Sequence, residues 1–98
     1  MRMMLTVQMD TEKGTKAIKD NRLPDIIKAA MGRMQPEAAF FGAEDGNRTA
    51  FFVFDMKNAS DIPAICEPLF AELGAKVSII PVMNAQDVED GLGRAGNG

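Results

Sequence analysis

Histidine, tyrosine and tryptophan are absent from this sequence, and cysteine occurs once. The missing histidine excludes most. It is the usual general base near neutral pH and the commonest metal ligand. Without it there is no Ser-His-Asp or Cys-His arrangement, no His-ligated haem and no His-containing zinc site. One cysteine, Cys66, leaves no intramolecular disulfide, which agrees with a reducing compartment. No apolar run approaches the roughly 18–20 residues that span a bilayer. Residues 1–9 are too short and too polar for a signal peptide. A cytoplasmic protein is therefore expected.

The 98 residues carry a net charge of −3, with acidic side chains dispersed along the chain. That charge argues against a surface that tracks phosphates, so no nucleic-acid or membrane partner is expected. Hydrophobic residues make up 46%, enough for a core and too many for a disordered chain. The length fits one domain.

Between Arg2 and Met9 the pattern has a period of two. Met3, Leu5, Val7 and Met9 form an apolar row; Arg2, Met4, Thr6 and Gln8 form a more polar one. This indicates a strand with two different faces. Asp10 or Thr11 can cap a helix with Glu12 in its first turn. Pro24 suits the start of a second helical piece, in which Ile26, Ile27, Ala30, Met31 and Met34 make one stripe. Two pieces with a break near residues 21–23 are expected, a single kinked helix being the alternative.

Residues 37–43 and 48–56 read as strands joined by a turn at Asp45-Gly46. Residues 62, 65, 66, 69, 70 and 73 are apolar at helical spacing, with Ser60 as the expected cap, Pro68 inside the helix and Gly74 as its stop. A fourth strand follows over 76–83. Asn84 can cap a short helix over 85–92. The domain is thus 1–92, and the glycine-rich 93–98 reads as a flexible tail.

The order β-α-β-β-α-β predicts a ferredoxin-like α+β sandwich, an antiparallel four-stranded sheet with its helices on one face. Those helices cover only one side. In the third strand either Phe51 and Val53 or Phe52 and Phe54 must point the other way, and the fourth strand has the same conflict at Val77/Ile79 and Ile80/Val82. Monomers rarely expose apolar patches beyond a few hundred Å². A homodimer closed by two sheets packing face to face is therefore expected, unless the helix after Asn84 covers part of the face.

The stretches 36–41 (PEAAFF), 48–52 (RTAFF), 62–70 (IPAICEPLF) and 81–84 (PVMN) resemble an uncharacterised bacterial group within the dimeric α/β barrel superfamily. The resemblance runs over about residues 1–92. It implies a ferredoxin-like protomer and a face-to-face homodimer, and implies no activity. Relatives elsewhere in that superfamily include cofactor-free monooxygenases, muconolactone isomerases, haem-binding enzymes and ligand-sensing domains. Their catalytic residues often include His, Tyr or Trp, none of which this chain has. The group commonly has an aromatic hydroxyl where this chain has Phe40.

Candidate site residues are few. Thr6 and Gln8 lie on the row facing the supposed interior and could orient a ligand, or simply sit at the sheet rim. Phe52 and Phe54 are candidates for lining the same space. Glu37 and Arg48 begin neighbouring strands and could meet across the hairpin. Arg48 could then hold an anion, or the two could form an ordinary exposed ion pair. Cys66 falls on a core stripe and reads as a buried structural thiol. The methionines read as core filling rather than a soft metal site. No cofactor and no metal are expected. The leading expectation is a non-catalytic homodimer that binds a small apolar or aromatic molecule. A cofactor-free isomerase or monooxygenase, using a carboxylate such as Glu37 or Asp55, is the second reading; a structural or partner-binding module is the third.

Overall fold

The structure is a computed structural model and describes residues 1–96. β1 (Arg2–Gln8) leads into α1 (Thr11–Lys19) and α2 (Leu23–Met34). β2 (Ala38–Glu44) and β3 (Asn47–Asp55) form a hairpin. α3 (Ile62–Leu73), β4 (Lys76–Pro81) and α4 (Ala85–Gly96) complete the chain. The sheet order is β2-β3-β1-β4 and every neighbouring pair is antiparallel. Each crossover therefore skips one strand, β1 to β2 over β3 and β3 to β4 over β1. Right-handed crossovers place α1–α2 and α3 on the same face of the sheet. This is the ferredoxin-like α+β arrangement that the sequence predicts.

Local chemistry sets most boundaries. Asp10 caps α1 by accepting from the Lys13 backbone N–H at 3.0 Å. Asn21, at φ +56°, interrupts the helix between the two pieces, so the break falls where the sequence puts it. Pro24 sits in the first turn of α2. Asp45 and Gly46 both adopt positive φ, the geometry of a two-residue hairpin turn that matches strand twist. Gly74 closes α3 at φ +54°, where an added Cβ would lie 2.9 Å from Lys13 Cδ.

Several boundaries differ from those expected. β2 and β3 are each displaced by one residue, to 38–44 and 47–55. Asn58, not Ser60, opens the turn before α3, in a reciprocal capping arrangement with Asp61. α4 runs four residues past Leu92, so residues 93–96 of the supposed tail are helical; residues 97 and 98 lie outside the described residues.

The core lies between the sheet and α1–α3. Leu5, Val7, Phe52 and Phe54 are its largest buried members from the sheet, met by Ala17, Ala30, Met34, Ile65, Leu69 and Leu73 from the helices. Cys66 is buried among them. Burial pushes its thiol pKa up, with a smaller contribution from Glu67.

Candidate functional site

The register resolves which aromatic residues face the helices. Met3, Leu5 and Val7 pair with Phe54, Phe52 and Ala50, and paired residues share a face. Phe52 and Phe54, expected as candidates for the open space, therefore belong to the core, each 2% exposed. Their neighbours Phe51 and Val53 point the other way.

Three cross-strand rows build that opposite face. Ala38, Val53, Met4 and Ile80 form an apolar row across all four strands. Phe40, Phe51, Thr6 and Ser78 form the next, and Gly42, Thr49, Gln8 and Lys76 a third. Phe40 is 67% exposed and Ile80 46%. Two apolar rows thus lie open, with Thr6 and Ser78 as hydroxyls in their midst. Neither hydroxyl is committed to a hydrogen bond among the described residues.

Polar groups frame this band at both ends. At one end the Gln8 side chain donates to the Glu44 carbonyl at 2.9 Å, reaching across β3 and lying over Thr49. Thr49 is itself buried and donates its hydroxyl to the Asn47 carbonyl at 2.9 Å. At the other end Arg2 Nε lies 2.7 Å from Glu37 Oε1 and its Nη1 2.8 Å from Asp87 Oδ2. Glu37 acts foremost, by hydrogen bond and charge, to raise the Arg2 pKa further. Beside it, Asp55 accepts hydrogen bonds from Lys57 and from the Met1 ammonium, which lower its pKa to about 2.

The expected approach of Glu37 and Arg48 does not occur. Arg48 pairs with Ala43, near the turn, whereas Glu37 lies at the open end of the hairpin, its N–H bonded to the Val53 carbonyl. Two strands that begin consecutively in an antiparallel hairpin begin at opposite ends. Arg48 instead turns to the helical side and donates to Thr15 Oγ1 at 3.2 Å. The structure thus brings Thr6 and Gln8 onto one face, places Glu37 at its rim and removes Arg48, Phe52 and Phe54 from it. Arg2 and Asp87 were missed. Their contact spans 85 positions in sequence, and no local spacing signals it.

Two further concavities lie on the helical side. A cleft of about 590 Å³ has Met34, Phe54 and Ile65 in its lining, with Arg33, Lys57 and Asp61 around it. An apolar groove of about 630 Å³ runs along α1 and α2 beside Ile18, Leu23, Ile27 and Met31. Among the described residues no group of three or more His, Cys, Asp or Glu side chains could hold a metal ion, and no helix is long and apolar enough to cross a membrane.

No family model and no curated protein matches the chain. Among solved structures it is similar to a de novo designed protein, Ferredog-Diesel. The TM-score is 0.50 at 9% identity, over 83% of this chain and 85% of that one. At that identity the likeness establishes the fold alone: this chain is a ferredoxin-like α+β protein.

Proposed function

We propose that this protein is a homodimeric binding domain, two sheets packing face to face and taking a small apolar or aromatic molecule between them. The observation that carries this reading is the open sheet face, where Met4, Phe40, Phe51, Val53 and Ile80 lie in two adjacent rows with no element among the described residues covering them. A second copy covers such a face by symmetry. Thr6 and Ser78 then provide paired hydroxyls inside an otherwise apolar space, the composition of a site that binds by shape and orients by a few polar groups. The reading agrees with the resemblance to the dimeric α/β barrel group, and a buried free thiol suits a reducing cytoplasm.

Binding is favoured over catalysis by the state of the carboxylates. A general base near neutral pH needs a raised pKa and freedom to reach substrate. Asp55 is lowered to about 2, and Glu37 is engaged by Arg2.

Native mass spectrometry tests the proposal on freshly purified protein. The expected result is a species of twice 10.6 kDa, together with saturable binding of an apolar fluorescent probe that Thr6→Val and Ser78→Ala variants weaken. A monomer at micromolar concentration overturns the proposal.

A further inference from the structure

Among the described residues, no element packs closely on α4. None of its twelve residues is buried. Ala85, Val88, Leu92 and Ala95 recur at i, i+3, i+7 and i+10, which is one stripe along the helix. Leu92 is 67% exposed, and so is Met83 just before the helix. The first turn is fixed by Asn84 and Asp87, which accept reciprocally from each other's backbone N–H at 2.8 and 3.1 Å. Arg2 then ties Asp87 to β1. Past that point α4 extends from the domain. The radius of gyration is 15.6 Å, against roughly 13 Å for a compact chain of this length.

Such a helix does not hold itself. Isolated helices shorter than about 12–15 residues are marginal in water even when rich in alanine. Gly91 and Gly93 in its interior each cost about 1 kcal/mol relative to alanine. One ion pair at its base does not offset this. The stability of α4 must come from burying its stripe.

We infer that the stripe of α4 packs against a second copy of this chain, so that each protomer's α4 embraces the other and closes the edge of the interface. This rests on the proposed face-to-face dimer. Area argues for the second copy. Four strands of about seven residues cover roughly 450 Å², short of the roughly 800 Å² per partner of a stable interface. The twelve-residue helix adds about 200 Å², and the patch that the other copy's helix covers adds about as much again, which brings the total to the size of a stable interface. Continuity argues the same way, because Arg2, which anchors α4, stands at the end of the open face, on the same side of β1 as Met4 and Thr6.

The test compares the full-length chain with two variants by analytical ultracentrifugation and amide hydrogen exchange. Val88→Asp/Leu92→Asp changes only exposed positions. It is expected to raise the dimer dissociation constant at least tenfold while the circular dichroism of the domain is retained. Phe51→Asp is expected to give monomers in which α4 amides lose their protection. An unchanged dissociation constant for the first variant, with wild type dimeric, overturns the role of α4 and leaves the face-to-face reading standing. Persistent α4 protection in the Phe51→Asp monomer places the stripe on its own domain and also overturns it. A monomeric wild-type protein overturns both.

Discussion

The side-chain amide of Gln8 reaches from β1 across β3 and donates to the Glu44 carbonyl of the edge strand β2 at 2.9 Å. Thr49, the strand partner of both Gln8 and Gly42, lies beneath it and is buried. The Gln8→Ala variant is expected to lose about 1 kcal/mol, the net worth of a typical hydrogen bond, with an unchanged urea m-value. Full wild-type stability would show that the bridge contributes nothing to joining the edge strand to the sheet.

Phe51 and Phe52 are adjacent in sequence and opposite in role. Phe52 is 2% exposed in the core, so Phe52→Ala is expected to cost about 3–5 kcal/mol at every protein concentration. Phe51→Ala acts on the proposed interface, and its cost is expected to depend on concentration, because association stabilises the fold by mass action. Chemical denaturation at two concentrations a hundredfold apart separates them. Two concentration-independent losses would contradict the assignment of Phe51 to an interface.

Asp55 is held at about 2, first by the Lys57 hydrogen bond and then by the Met1 ammonium. A carboxyl whose folded pKa lies below its unfolded value, near 3.9, stabilises the fold above that unfolded value. The contribution disappears as pH falls from about 4 toward about 2. An Asp55→Asn variant is expected to show a shallower loss of stability across that window. Superimposable acid profiles of wild type and variant, measured by thermal unfolding, would contradict the ion cluster.

Cys66 is buried and its thiol is pushed up by desolvation. The thiolate is the reactive form, so a disulfide reagent at pH 8 is expected to label native protein far more slowly than urea-unfolded protein. Complete labelling of the native state within seconds would mean that α3 opens locally.

Much of the fold was legible because its signals are local. The alternation over residues 2–9, the Asp45-Gly46 turn and the apolar spacing from Ile62 to Leu73 each act within a few residues, and each lies where it is read. The break at Asn21 was legible for the same reason, with Pro24 immediately after it. The cap of α3 was not. Asn58 and Ser60 are both competent capping residues, and the choice depends on where the chain leaves β3.

The candidate site was legible only in part. Thr6 and Gln8 share a face because strand alternation requires it, whatever the strand packs against. Phe51 and Phe52 could not be told apart, since both are large and apolar and alternation says only that they diverge. The choice was made by pairing with β1, where Leu5 and Phe52 stand side by side. Glu37 and Arg48 lie near the starts of their strands but at opposite ends of the hairpin, which follows from antiparallel pairing once the two-residue turn is fixed.

The sequence by itself determined the elements, their order and the excess of apolar faces over helices available to cover them, because propensity, capping and periodicity are short-range. Only the tertiary structure decided which face was left open, that Arg2 joins Glu37 and Asp87, and that α4 extends with its stripe unburied. Those outcomes depend on register and on contacts between residues up to 85 positions apart, whose energies no local pattern encodes.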